Sequence, residues 1–293
     1  MTVIVVGNAA VDTTFEVERL PRPGESVLAT AVREDLGGKG LNQAVAAARA
    51  GARVVLAAAV GSDAAAATVD ALLRAEDIET AGLIRTAGST DRTTVFVTPD
   101  GQNAIVTAAH QARALEPDVA GDAAARAEVG DYVLLQGNLS LEATRGCARA
   151  ARDRGATVVL NPSPIAFDFS DLWPLVDIVV ANEDECATLT GAAEASPASR
   201  WLIDAGAGAV VVTHGSGDTL LADAAGQRSV PVRPVVALDT TGAGDAFCGT
   251  LVAGLDAGMD LVAAIERGIA VSELVVGRPG AIASFPRAGE VAP

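Results

Sequence analysis

The sequence predicts an α/β fold on a largely parallel sheet, with a smaller set of antiparallel strands inserted into it. Two patterns carry the prediction. Short apolar runs alternate with alanine-rich segments of helical period, as βαβ units do around a parallel sheet. Two stretches, 12–36 and 89–107, break that rhythm by alternating polar and apolar residues around turn signals.

Taken in order, Val3–Val6 is the first buried strand. The first inserted stretch follows, turning at Pro21-Arg22-Pro23-Gly24. A helix over Gly40–Ala50 opens on glycines, Val54–Ala59 is a strand, and Ala64–Ala75 is a helix. The second insertion turns at Pro99-Asp100-Gly101. Strand Tyr132–Leu135, helix Leu141–Arg154 and strands Val158–Leu160 and Ile178–Ala181 come next. Helices Asp184–Thr190 and Pro197–Ala205, strand Ala209–Thr213, and helices Ala243–Ala257 and Leu261–Val275 complete the pattern. This assigns 1–11, 37–88 and 108–293 to one core. The segments 12–36 and 89–107 form one small sheet, a candidate lid or dimer surface. Ligands of open α/β sheets sit at the carboxyl ends of the strands, and the loops there are rich in Gly, Asn and Asp.

Composition narrows the function. Of 293 residues, 50% are hydrophobic, too many for a disordered chain. The net charge of −16, without a basic block, disfavours nucleic acid as a partner. The most apolar runs, Val54–Val60 and Ala205–Thr213, fall far short of the roughly 18 residues of a membrane span. The amino-terminal residues lack the basic start and cleavage site of a signal peptide. Three widely spaced cysteines, Cys147, Cys186 and Cys248, suggest a reducing compartment, so a soluble cytoplasmic protein is expected. Neither histidine has a zinc-like partner spacing. The only lysine, Lys39, stands between glycines.

Three segments carry chemistry. In Asp239-Thr240-Thr241-Gly242-Ala243-Gly244-Asp245, small residues open a helix and leave main-chain N–H groups free for an anion. Asp245 in that first turn either takes a proton from a hydroxyl or merely complements the helix dipole. In Leu36-Gly37-Gly38-Lys39-Gly40-Leu41-Asn42-Gln43-Ala44, glycines again open a helix, without the spacing of a Walker A loop, and Lys39 and Asn42 offer donors to a hydroxyl-rich ligand. Asn182-Glu183-Asp184-Glu185 follows a strand directly; its acids could hold Mg²⁺ or its waters, and Asn182 could equally cap the next helix.

Together and in this order, these segments resemble the ribokinase family of ATP-dependent sugar and nucleoside kinases. Asp12, Asn161-Pro162-Ser163-Pro164, Thr213-x-Gly215 and Gly280-Ala281-x-x-Ser284-x-Pro286 extend the resemblance from Gly7 to about Pro286. It implies a ribokinase-like three-layer α/β/α core with a β-lid closing over a sugar. Asp245 would be the general base, and Gly242, Ala243 and Gly244 the anion hole for the γ-phosphoryl group. Asp12, Gly38, Lys39, Asn42 and Asn138 would contact the sugar. Asn182, Thr213, Gly215, Gly242 and Gly244 would serve ATP, with Glu185 arranging Mg²⁺ through water. Asp239, Thr241, Gly280 and Ser284 would border a monovalent cation such as K⁺. A homodimer through the lid is also implied.

Asn161-Pro162-Ser163-Pro164 looks like the branch acting on unphosphorylated sugars, ribose first. Two departures from typical ribokinases, Ala10 and Asn138, bear on the acceptor. A nucleoside kinase, for which the inserted strands offer Phe15 and Phe96 as stacking partners, and a non-catalytic sugar-binding regulator are the alternatives. Trp173 and Trp201 fit helix packing and adenine contacts equally well, and His214, inside Thr213-His214-Gly215, either borders the nucleotide or, more simply, is a plain loop histidine.

Overall fold

The computed structural model describes residues 1–100, 102–287 and 289–290. Among them, the larger sheet has nine strands, numbered along the chain. Its spatial order is Gly226–Val230 (β13), Gly217–Asp223 (β12), Ala209–His214 (β11), Ile178–Asn182 (β10), Thr157–Asn161 (β9), Tyr132–Gln136 (β8), Val3–Asn8 (β1), Val54–Val60 (β4) and Leu83–Arg85 (β5). Pairing is parallel from β11 through β5, and only β12 and β13 run antiparallel at one edge.

The strands are apolar throughout because both faces are covered. Along β1, Val3 and Val5 enter one core while Ile4 and Val6 enter the other. The first core is filled from Lys39–Arg49 (α1), Ala64–Ala75 (α2), Ala243–Asp256 (α8) and Leu261–Val275 (α9). The second takes His110–Ala114 (α3), Pro117–Ala124 (α4), Leu141–Asp153 (α5), Glu183–Thr190 (α6) and Ala195–Asp204 (α7). The three-layer α/β/α architecture follows. Among the described residues no helix is long and apolar enough to cross a membrane.

The second sheet has the order Ala29–Gly37 (β3), Ala10–Val17 (β2), Asp91–Val97 (β6) and Asn103–Ala108 (β7). Each insertion is an antiparallel pair, as the alternation predicts, but the central β2–β6 pair is parallel. The reason is where the chain leaves the core. β2 follows β1 and β6 follows β5, so both depart from the carboxyl side of parallel strands and run outward together. Leu28, Val32, Ile105 and Val106 of these insertions are exposed. Gly101 of the expected turn lies outside the described residues.

The short strands β5, β12 and β13 and the helices α3 and α4 were not expected from the sequence. β13 reads Gly-Gln-Arg-Ser-Val, with a single buried apolar residue, Val230, so no periodicity betrays it. It joins the sheet as the second strand of a tight antiparallel pair with β12.

Candidate active site

The strand order reverses between β1 and β8, and polar residues collect at the carboxyl ends beside that switch. Asn8 ends β1, Gln136 ends β8, Asn161 ends β9, Asn182 ends β10, and Thr213 and His214 end β11. Gln136 is in register with Asn161, and Asn182 with Thr213.

Helices α1 and α8 cross above this row. Gly249 lets them approach: a Cβ there would strike the carbonyl oxygen of Gln43 and come within 2.7 Å of the Ala46 Cβ. One turn earlier on α8, that closeness delivers Asp245 to α1. Asn42 donates from Nδ2 to Asp245 Oδ2 at 2.9 Å, and Gln43 donates from Nε2 to Oδ1 at 2.9 Å. Lys39 Nζ stands 4.0 Å from Oδ1. Asp245 is buried, and the Asn42 Oδ1 beside it has no hydrogen-bond partner, an acceptor aimed at nothing in the protein.

Burial alone would push the Lys39 ammonium down, but the carboxylates of Asp245 and Glu185 outweigh it and hold its pKa above the ordinary lysine value. The carboxyl of Asp12, on β2, is also shifted upward, for a different reason. Burial pushes it up from the usual aspartate value against the Thr93 hydroxyl, and the carboxylates of Asp35 and Asp245 add to the rise. Asp12 and Asp35 are cross-strand partners, and the Asp12 carboxyl packs over Gly37, beside Gly38 at the N-cap of α1. Thus Asp12, Gly38, Lys39, Asn42 and Asp245 share one pocket. Asn138, in the loop after β8, has a buried Oδ1 without a partner and no bond to this network.

A cleft of about 660 Å³ adjoins the pocket. Asn182, Thr213 and Gly215 border it on one side, and Ala243 and Gly244 on another. Val232, Val235, Phe247 and Ile269 supply an apolar wall. At its inner end the chain turns into α8 through Gly242, whose φ of 77° is a left-handed conformation. A Cβ on Gly244 would meet nothing within 4 Å, so that amide is reachable from the cleft. The N–H groups of Gly242 and Gly244 find no acceptor among the described residues, whereas Ala243 N–H donates to Thr240 O at 3.2 Å.

Asn182 and Glu185 form a full capping box: Glu185 N–H donates to Asn182 Oδ1 at 2.7 Å and Asn182 N–H to Glu185 Oε2 at 2.9 Å. Among the described residues no three His, Cys, Asp or Glu side chains converge as a metal cage. This donor set suits a divalent ion that keeps its waters and binds phosphate, as Mg²⁺ does. Asp239 ties its loop together. Oδ1 accepts from Thr241 N–H at 2.9 Å and Thr241 Oγ1 at 2.6 Å, and Oδ2 accepts from Gly280 N–H at 2.8 Å. Burial raises the Asp239 carboxyl, but those bonds win and hold it below the usual aspartate value. Ser284 is not part of that tie; its hydroxyl donates to Ala281 O at 2.6 Å.

The structure decides between the open readings of three side chains. His214 borders the cleft rather than lying in a plain loop, with Nδ1 2.7 Å from Glu183 Oε2. Trp173 is buried in the core on the second face of the sheet, stacked on Phe169, and Trp201 is 42% exposed on α7; neither borders the cleft. Phe15 and Phe96 stack on each other, with ring centroids 5.6 Å apart. The sequence also gave no role to Gln136, which donates from Nε2 to Gln43 Oε1 at 2.9 Å behind Asp245.

A model of the pfkB family of carbohydrate kinases matches residues 2–288. The chain belongs to that family. It is 31% identical over 297 residues to the ribokinase of Staphylococcus aureus, covering 99% of this chain and 98% of that one. The deoxyribokinase of Salmonella typhimurium is 29% identical, with 98% and 96% covered. The structure of Arabidopsis thaliana ribokinase complexed with ribose and ATP superposes with a TM-score of 0.89, at 27% identity and 98% and 96% coverage. This pfkB kinase is accordingly a ribokinase-type phosphotransferase acting on a sugar hydroxyl with ATP as co-substrate.

Proposed function

We propose that the enzyme transfers the γ-phosphoryl group of ATP to a primary hydroxyl of a small unphosphorylated sugar, D-ribose first. The observation that carries this reading is the Asp245 carboxylate, fixed at 2.9 Å by Asn42 and by Gln43, one residue beyond a Gly244 amide open to the cleft. The names of the Staphylococcus and Arabidopsis relatives support ribose; the Salmonella relative makes 2-deoxyribose the discriminating competitor.

In this reading Asp12, Gly38, Lys39, Asn42 and Asn138 hold the sugar, and the orphaned Asn42 Oδ1 accepts one of its hydroxyls. The carboxylates of Asp12 and Asp245 stand near a single lysine there, while Asp35 is paired with Arg33 at 2.6 Å, a balance that suits an uncharged acceptor better than a sugar phosphate. Asp245 takes the hydroxyl proton as the new O–P bond forms and the bond to ADP breaks. The Gly242 and Gly244 amides receive the charge that spreads over the transferring group, and Ala243 completes their turn. Asn182, Thr213 and Gly215 border the nucleotide, whose base lies on the apolar wall. Mg²⁺, when bound, neutralises phosphate charge; Glu185 would hold its waters. A monovalent cation such as K⁺ would bind the main chain around Asp239, Thr241, Gly280 and Ser284, where Asp239 Oδ2 keeps a lone pair. The small sheet acts as a lid, its exposed apolar residues pair two copies into a dimer, and the enzyme works in the cytoplasm. A monomeric mass in light scattering at micromolar protein would refute the dimer.

The test is ADP release from MgATP with ribose, 2-deoxyribose, hexoses, adenosine and inosine, with and without K⁺. Ribose should give the highest kcat/KM, with K⁺ raising it. A nucleoside as the best acceptor would replace the sugar assignment, and silence on every acceptor would favour a non-catalytic sugar-binding regulator.

A further inference from the structure

Asp245 is gripped from behind as well as from the acceptor pocket. Gln43, Gln136 and Asn161 form a buried chain of side-chain amides beneath it, the first two with 0% exposure and the third with 6%. From this chain we infer that Gln136 and Asn161 are positioning residues for the base, acting through Gln43, and that Asp245 Oδ2 is the oxygen that takes the acceptor's proton. The inference rests on the phosphotransfer reading above.

A side-chain amide has a donor end and an acceptor end, and partners that can only accept decide which way it points. Asn161 Nδ2 reaches the main-chain carbonyl of Val180 at 2.8 Å. A carbonyl only accepts, so Asn161 Oδ1 must face Gln43, where it receives Nε2 at 3.2 Å. At the other end, Gln136 Nε2 donates to Gln43 Oε1 at 2.9 Å and leans on the main-chain carbonyl of Leu134 at 3.4 Å. Both ends are thereby anchored to strand carbonyls, β10 on one side and β8 on the other. The direction of the whole chain is fixed, and Gln43 can only present an N–H to Asp245 Oδ1.

The consequence falls on the carboxylate. Oδ1 has Gln43 Nε2 on it and the Lys39 ammonium 4.0 Å away. Oδ2 accepts one hydrogen bond, from Asn42, and keeps its second lone pair, while Oδ1 is the oxygen that the Lys39 ammonium approaches more closely. A base works only when that lone pair is aimed at the hydroxyl, and misplacement by about 1 Å costs on the order of 100-fold. Gln136 and Asn161 touch neither the carboxylate nor the pocket's free acceptor, so their contribution is aim.

Two substitutions test this. Gln136→Met keeps the length and removes the donor, freeing Gln43 to turn over. Gln136→Glu keeps the shape but makes direction depend on protonation. While protonated, the introduced carboxyl donates to Gln43 Oε1 as the amide did. Once ionised it only accepts, and Gln43 must then turn an oxygen toward Asp245. Lys39, Asp12, Glu185, Cys248 and Asp245 face the same region in every variant, so the ratio to wild type isolates the new carboxyl. For Gln136→Met we expect kcat to fall about 10- to 100-fold at every pH, with KM for sugar and ATP within about twofold and the thermal midpoint retained. For Gln136→Glu, kcat relative to wild type should fall progressively as pH rises. A folded Gln136→Met enzyme with wild-type kcat, a loss confined to KM, or a pH-independent ratio for Gln136→Glu would overturn the inference. Inactivity of the wild type itself would instead refute the kinase reading, and it is seen before any substitution is made.

Discussion

At the proposed acceptor end, Asn42 and Gln43 of α1 hold one carboxylate on α8 by hydrogen bonds of 2.9 Å on both its oxygens, with Gln136 of β8 and Asn161 of β9 bonded behind Gln43. At the proposed nucleotide end, the 660 Å³ cleft is walled by Val, Ile and Phe and bordered by main-chain amides, and among its polar side chains Asn182 bonds Glu185 and His214 pairs with Glu183. The first end depends on which residues are present; the second depends on backbone course. A sugar has to be distinguished from many others by its hydroxyl pattern, while a triphosphate can be held by amides that every residue carries. Substitutions should therefore be severe and specific at one end and mild at the other, except where they alter the main-chain surface.

The largest expected effect is at Asp245. Asp245→Asn leaves the size unchanged and removes the base, so kcat should fall about 1000-fold in ADP-release assays, with sugar and ATP KM little moved. Retention of a tenth of the activity would break the comparison. Second is Gly244→Val, which puts a branched side chain into the open space over the cleft. It should raise KM for ATP about tenfold and leave sugar affinity, measured by calorimetry, unchanged.

Third is Asp12→Asn, where two effects of opposite sign are expected. Sugar KM should rise about tenfold with the lost charged acceptor. The thermal midpoint should rise as well, because the folded state raises this carboxyl's pKa above its unfolded value. A raised acid destabilises the fold once ionised, so the variant's advantage is present above the folded pKa and disappears as pH falls through it toward the unfolded value. Melting curves of both proteins at neutral and acid pH check the sign. The smallest effect belongs to His214→Ala. Its contact with Glu183 is half-exposed, and KM for ATP should change by no more than about twofold. A tenfold change would mean that side chains matter at the nucleotide end too.

What the sequence disclosed follows the same division. Gly242, Gly244 and Asp245 lie within four residues and open a helix, so their chemistry is legible locally. The alternating apolar runs likewise revealed the largely parallel sheet and its inserted strands, while the three layers came from the family resemblance. The support behind the base was hidden, since Gln43 meets Gln136 across 93 residues and Asn161 across 118, joined only by strand register. The parallel β2–β6 pair was hidden for a related reason: alternation marks a strand and says nothing of its neighbour's direction. Trp173 could be placed only once the faces of the sheet were known, because its surroundings come from α5 and the loop before it.

Lys39 gives the active site a chemical handle. It is the only lysine in 293 residues, and its side chain is 34% exposed in the acceptor pocket. An amine-reactive reagent therefore has a single ε-amino target, and that target lies in the proposed sugar site. Its raised pKa leaves little free amine at neutral pH, so acylation should be slow there and quicken in alkali. Bound acceptor should protect it. Label found at Lys39 itself, blocked by the true substrate and by nothing else, would count active sites and identify the sugar without any turnover.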